Sequence, residues 1–440
     1  MIGWQDKLKL KAIPNMPISR GSIKHSLRED LANLIKVSIN RGLTNRASKE
    51  TKQKLKDELS DRFSVKHVEL FPYARTAFYS ALISLNLPKG SKVLMTPITI
   101  GPMLEIVINL GYEPVFVDIE LSTFGPDLDD LRSKLQERPS CFLLTYLFGY
   151  VPEVGRIVEL CKSANCTLFE DISHNIGANY DGKPLGTFGD VGIYSASLLK
   201  YVDGYNGAFS LVNAEKLADT ISQQASKLTE PNPGRIKAAV RRTFIWNLAL
   251  NRYFFNFVTY PLLWCLKLID PARFERLLGP SIQLETHREL PDFWFEDISE
   301  IQCKTISVHL KSLETLLQNR RTTAAQVNAA FAVVKVYLNI YHELVTAENA
   351  NLRNTFWQYV TRVQDVEKAR GHLFRSGVET GATNLLDIAN ACDVQLPNAI
   401  ALKNKHIFIP LHAHLTSRIY SRFINKLVFS DSDTDTNVMP

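Results

Sequence analysis

The 440-residue chain is poor in the features that assign a protein at a glance. It has six cysteines, Cys141, Cys161, Cys166, Cys265, Cys303 and Cys392, and no CxxC pair among them. That scatter excludes a disulfide-stapled secreted module. Cys161 and Cys166 have no companion Cys or His cluster, so no metal-ligand set is read. The thiols are expected to be reduced core residues of a cytoplasmic protein. The N-terminus, Met1-Ile2-Gly3-Trp4-Gln5-Asp6-Lys7, lacks the apolar stretch of a secretory leader. Neither GxGxxG nor GxxxxGKS occurs, which removes the dinucleotide fingerprint and the P-loop. Charge of one sign is also scarce. Lys and Arg number 51 against 45 Asp and Glu, a net of +6. This suits acidic small molecules or a membrane surface but is too thin for a nucleic-acid-binding face.

What is present is an ordinary globular composition, 45% hydrophobic and 22% charged. At roughly 150 residues per domain the length suggests two or three domains, each able to bury a core without staples. Residues 1–20, with Pro14 and Pro17, read as an extended arm, and 21–62 as charged helix. Then short apolar runs alternate with helical stretches. Strands are expected at Val65–Phe71, Lys92–Met95, Pro114–Val117, Cys141–Leu144, Thr167–Phe169, Val191–Tyr194 and Ala208–Val212. Between them, Ala74–Leu85, Pro102–Leu110, Leu128–Leu135 and Val154–Ser163 have helical spacing. Such alternation predicts βαβ units and a mainly parallel sheet, whose strand C-terminal ends gather ligand-binding groups.

The chain divides by texture into an N-terminal arm and large domain (1–225), a hydrophobic insertion and linker (226–290), a long helix with a smaller α+β domain (291–430) and a polar tail (431–440). Within the insertion lies Phe244–Ile269, the most hydrophobic stretch in the chain. Arg252, Lys267, three asparagines and Pro261 interrupt it, and a central Arg in hydrocarbon costs about 2.5–3.5 kcal/mol or more. A transmembrane span is therefore the least favoured reading. A buried or oligomer-interface helical pair comes first. A segment lying on a membrane, helped by Arg235, Lys237, Arg241 and Arg242, comes second. Residues 297–331 read as one long helix.

Three clusters could carry chemistry. Tyr73-Ala74-Arg75-Thr76-Ala77 joins a strand to a helix, where free N–H groups attract an anion. Glu170-Asp171-Ile172-Ser173-His174 ends a strong strand. An acid there can hold a cation or a ring nitrogen, and equally can cap a helix. Ser195-Ala196-Ser197-Leu198-Leu199-Lys200 puts a leucine-flanked lysine beside a sheet end. Burial would favour the neutral, nucleophilic amine; the alternative is a solvated lysine with leucines packed inward.

Together these clusters resemble the DegT/DnrJ/EryC1/StrS family of pyridoxal-phosphate-dependent sugar aminotransferases, of fold type I. Leu110-Gly111-Tyr112-Glu113-Pro114-Val115-Phe116-Val117-Asp118 is close to the family's Leu-Gly-Ala-x-Pro-Val-Phe-Val-Asp. Phe148-Gly149, Glu170-Asp171, Gly177-Ala178, Gly182, Gly186 and Gly189-Asp190 follow in family order, and Ser195 and Lys200 keep its spacing. Gly377-Val378-Glu379-Thr380 and Ile409-Pro410-Leu411-His412 resemble its C-terminal domain. The resemblance implies a three-layer αβα large domain with a mainly parallel sheet, a smaller C-terminal α+β domain, and a homodimer. It implies that Lys200 carries pyridoxal 5'-phosphate covalently and moves a proton. Asp171 would pair with the pyridine nitrogen, and His174 would lie near the 3-oxygen. Ser195 and the turn of Ala74, Arg75 and Thr76 would hold the phosphate. The implied reaction passes an amino group from an amino acid, usually glutamate, to a nucleotide-linked keto-sugar in glycan, polysaccharide or antibiotic-sugar synthesis. A pyridoxal-phosphate-dependent sugar dehydratase and a non-catalytic or regulatory homologue are the alternatives. The family's dehydratases replace the lysine by histidine, and Lys200 argues against that route. This sequence departs from the family at Leu198-Leu199-Lys200-Tyr201, at Gly204-Tyr205-Asn206-Gly207, at Ile98 and Ile100 where aromatics are common, and at Phe295-Glu296-Asp297. A cytoplasmic location is expected, with the 244–269 segment docking the protein at the inner face of a membrane.

Overall fold

The structure is a computed structural model that describes residues 16–278, 289–338 and 352–412, together with 415, 419–421 and 424. The expected polar tail and most of the expected arm lie outside these residues.

Two helices precede the sheet, α1 (Leu27–Ile39) and α2 (Lys49–Phe63). Both begin at a serine, Ser26 and Ser48, whose side chain accepts a first-turn amide. There follow β1 (His67–Phe71), α3 (Ala74–Ile83), β2 (Lys92–Met95), β3 (Ile98–Thr99), α4 (Gly101–Asn109), β4 (Glu113–Phe116), α5 (Leu128–Leu135), β5 (Cys141–Thr145), α6 (Val154–Ser163) and β6 (Thr167–Asp171). The short strands β7 (Asn179–Tyr180) and β8 (Lys183–Pro184) form a hairpin before β9 (Val191–Ser195), β10 (Ala208–Val212) and α7 (Glu215–Ser226). Seven strands make one sheet in the order β1-β10-β9-β6-β5-β2-β4. Pairing is parallel from β9 to β4, and β10 runs antiparallel to both neighbours. One apolar core covers each sheet face, with Leu94, Phe142 and Phe209 on one side and Phe78, Met95 and Phe169 on the other. This is the expected three-layer arrangement.

The insertion forms α8 (Pro233–Leu250), the single turn α9 (Arg252–Phe254), α10 (Tyr260–Ile269) and α11 (Pro271–Leu278). A π-helical turn at Phe255–Thr259 precedes Pro261, whose missing N–H breaks regular α-helical bonding there. No helix among the described residues is long and apolar enough to cross a membrane. The helical pair is present, but only half of it is buried. Phe255, Leu263 and Phe274 pack on Phe374. Phe257, Leu262, Leu268 and Ile269 point outward, 64–83% exposed. Cys265 shares this exposed surface and Cys392 is half-buried, so not every thiol is a core residue.

The long helix is α12 (Glu300–Leu338), longer than its pattern predicts. The remaining elements are β11 (Leu352–Arg353), β12 (Tyr359–Arg362), α13 (Val366–Arg375), β13 (Leu386–Asp387), α14 (Pro397–Lys405) and β14 (His406–Ile409). Long-range pairing stitches this part to the large domain. β11 joins β7, β13 joins β3, and Ile18 of the arm bridges Val378.

Candidate active site

A cavity of about 1570 Å³ opens at the C-terminal ends of β6 and β9, between the large domain, α8–α11 and the C-terminal part. Ala74, Arg75, Asp171, His174, Ser195 and Lys200 all line it. Of the residues expected at the site, Thr76 does not. Its side chain is buried and its hydroxyl donates to the Trp294 carbonyl, so the hydroxyl ties α3 to the 292–295 segment.

β6 places its two acids on opposite faces, as strand alternation requires. Glu170 is fully buried and accepts bonds from the Gly186, Phe188 and Gly189 amides and from the Tyr146 hydroxyl, at 2.7–3.0 Å. It anchors the glycine-rich loop. A Cβ at Gly192 would sit 2.2 Å from the Gly186 oxygen, so the loop lies against β9 only because position 192 is glycine. Asp171 faces the cavity and accepts from the Ser173 amide at 3.0 Å. Burial pushes its carboxyl up, and the positive Lys200 counters this.

Lys200 sits in the turn after β9, its amide bonded to the Ser197 carbonyl at 3.1 Å. Its side chain is only partly covered, but the ammonium end lies 4.5 Å from the Trp357 ring, in surroundings that lower its pKa to about 8. Desolvation is the cause, and Asp171 opposes it. Leu199 adopts a left-handed φ of 72°, and the Trp357 indole N–H donates to its carbonyl at 3.0 Å. A strained leucine is thus held beside the reactive amine. Trp357 also stacks on His174, with centroids 3.8 Å apart and planes 12° apart. His174 Nδ1 accepts from the Phe148 amide at 3.2 Å, and burial keeps the ring neutral by driving its pKa well below 6.5. Ile98 and Ile100 supply no aromatic; the ring beside the lysine comes from the C-terminal part instead. No local signal marks Trp357, because it lies 157 residues beyond Lys200.

Arg320 of α12 organises that approach. It donates to the Phe356, Trp357 and Leu411 carbonyls and to the Tyr201 hydroxyl, at 2.7–3.2 Å. Nothing local marks it, since an arginine inside a long charged helix reads as a solvated residue.

At the opposite wall, α3 starts at Tyr73 with no side-chain cap, leaving its first-turn amides to meet an anion. Arg75 follows, its guanidinium 3.9 Å over the Tyr73 ring with its Nε unbonded, and burial lowers its pKa to about 10. Ser195 offers a hydroxyl that bonds Ser197 at 3.1 Å. A primary amine of lowered pKa, a buried carboxylate and an uncapped helix start with a cation fit pyridoxal phosphate: an aldehyde, a ring nitrogen and a phosphate. Glu296 and Asp297 are engaged within the chain, Glu296 by Arg235 at 2.9 Å and Asp297 by Lys52 at 2.6 Å.

The fold around this lysine-centred cavity is the one that solved aminotransferases share. Solved structures agree in fold. The aminotransferase from Psychrobacter cryohalolentis superposes with a TM-score of 0.71 at 16% identity, covering 94% of this chain and 100% of that one. A sugar aminotransferase from Micromonospora echinospora gives 0.67 at 19%, covering 94% and 99%. The model of the DegT/DnrJ/EryC1/StrS aminotransferase family matches residues 26–227 of this chain. Among curated relatives, the GDP-perosamine synthase of Escherichia coli O157:H7 is 26% identical over 167 residues, 38% of this chain and 46% of the relative. The matched stretch thus spans less than half the length of that relative.

Proposed function

We propose that this chain is a pyridoxal-phosphate-dependent aminotransferase that takes the amino group of an amino acid, glutamate in the first instance, and delivers it to a nucleotide-linked keto-sugar in glycan or antibiotic-sugar synthesis. The observation that carries the reading is Lys200: a cavity-facing amine of lowered pKa, in the electrostatic field of the buried Asp171 carboxylate that lines the same cavity. When bound, the cofactor supplies an electron sink for the carbon that exchanges its amine. Lys200, Asp171, His174, Ser195 and the Ala74–Arg75 turn would hold it. Asp171 supplies the negative charge that keeps a ring nitrogen protonated. Neutral His174 offers a hydrogen bond without adding charge. Lys200, near its pKa at neutral to mildly basic pH, can both accept and return a proton. Arg75, Arg235, Arg241 and Arg242 border the cavity, a setting that favours a diphosphate-linked acceptor. The similarity to a GDP-perosamine synthase points to the same substrate class.

The test is an absorbance titration. Protein loaded with pyridoxal phosphate and desalted should keep the cofactor band, and glutamate should convert it to the aminated form. Retained cofactor with no response to glutamate would support the non-catalytic alternative instead.

We further infer a cytoplasmic homodimer that rests on an anionic membrane through the outward face of α10. Phe257 of the preceding turn and Leu262, Leu268 and Ile269 of α10 form the apolar face, and the exposed Arg273 supplies a cation from α11. Sedimentation with phosphatidylglycerol vesicles should carry down the wild type but not Leu262→Asp/Ile269→Asp. If that double variant splits a dimer in light scattering and the wild type ignores vesicles, the face is a subunit contact instead.

A further inference from the structure

Away from Lys200, five titratable side chains converge in a buried pocket with no part in the chemistry above. His25 precedes α1, Glu29 and Asp30 lie in its first turn, Asp203 follows β9, and His309 comes from α12. Both histidines are about 95% buried. One donor atom each from His25, Glu29 and His309 falls within 4.8 Å of the other two.

Helix geometry accounts for part of this. Acids in the first turn of α1 favour its positive end. That explains why Glu29 and Asp30 are acidic, but not why two imidazoles meet them. Neither ring nitrogen of His309 makes a hydrogen bond, although both are buried. His309 Nε2 lies 3.3 Å from Glu29 Oε1, and His25 Nε2 lies 3.6 Å from Asp203 Oδ1. Donors around a tetrahedral ion at about 2.0–2.2 Å are separated by roughly 3.3–3.6 Å. Both gaps fall in that range and are long for direct hydrogen bonds.

The surrounding groups have a matching arrangement. His25 Nδ1 is 2.8 Å from Asp30 Oδ1. Asp30 in turn accepts from the Tyr205 hydroxyl at 2.8 Å and from Asn247 at 2.7 Å. A carboxylate behind one imidazole nitrogen, itself fixed by hydrogen bonds, is how proteins orient a metal-binding histidine.

We propose that His25, Glu29 and His309 bind one divalent transition-metal ion of the zinc class, with Asp203 beside the fourth position. Two imidazoles and a carboxylate suit zinc or cobalt rather than magnesium or calcium. The ion is structural. It clamps α1 and α12 to the 203–205 loop, three residues beyond Lys200.

The full chain, stripped with chelator and dialysed, is titrated with Zn²⁺ against a chromophoric competitor. One ion per chain is expected, together with a rise in melting temperature. Glu29→Gln and His309→Gln should each weaken binding by at least about 10–100-fold, taking the loss of an outer partner as the lower bound. Co²⁺ should give the visible bands of a tetrahedral site in the wild type and lose them in both variants. Glu29 is partly exposed, so Glu29→Gln keeps the test open if His309→Gln fails to fold. Absence of bound Zn²⁺, or equal affinity in wild type and Glu29→Gln, overturns the proposal and leaves an imidazolium–carboxylate network.

Discussion

Lys200→Ala is expected to lower glutamate-dependent amino transfer by at least about 10²–10⁴-fold, the usual range for losing a positioned proton-transfer group, and to abolish covalent retention of pyridoxal phosphate. The pH dependence carries a second signature. Burial has lowered the Lys200 pKa to about 8, so the neutral amine grows as pH rises through that value. Cofactor loading should therefore accelerate from pH 6.5 to about 8.5 and then level off. Asp171 acts in the opposite direction to burial, raising the lysine pKa by attraction. Removing that charge in Asp171→Asn should shift the loading midpoint to lower pH, even as it impairs turnover. A midpoint that moves up, or does not move, would mean that Asp171 and Lys200 do not interact across the cavity. The measurement is the pH profile of band formation in both proteins.

Arg320→Met should cost about 3–5 kcal/mol of stability, because the buried Leu411 carbonyl and the partly buried Phe356 and Trp357 carbonyls lose their donor, and each buried loss costs roughly 1–3 kcal/mol. Arg320→Lys should recover only part of this, since an ammonium cannot reach three carbonyls in the geometry of the planar fork. Urea unfolding would show a lower midpoint with unchanged slope. The same variant should slow cofactor loading. Arg320 holds the segment that carries Trp357, and Trp357 holds the Leu199 carbonyl next to the lysine. A loss below about 1 kcal/mol would mean that water replaces the guanidinium at these carbonyls.

The mainly parallel α/β sheet is legible in the chain. The alternation of short apolar runs with helical spacing is local, so the strands ending at Phe71, Met95, Thr145, Asp171, Ser195 and Val212 could be placed to within a residue or two. That Asp171, Ser195 and Lys200 come together at one edge of the sheet is legible for the same reason. In a parallel sheet ligand groups gather where strands end, and those ends are visible in the chain. Residues whose roles depend on distant partners were not legible. Thr76 looked like a phosphate ligand by its place in a turn, and only packing showed its hydroxyl spent on Trp294. Glu170 and Asp171 are neighbours with opposite fates, because a strand sends them to opposite faces and only the fold decides which face holds the cavity. Trp357 and Arg320 reach the lysine loop across more than a hundred residues, and His25 meets His309 across 284. The hydrophobic insertion could be recognised as unusual from composition alone. Which of its side chains would be buried was decided by Phe374, whose ring closes over Phe255, Leu263 and Phe274 and leaves the opposite face of α10 uncovered. Periodicity determines which residues share a face; only tertiary contact decides what that face meets.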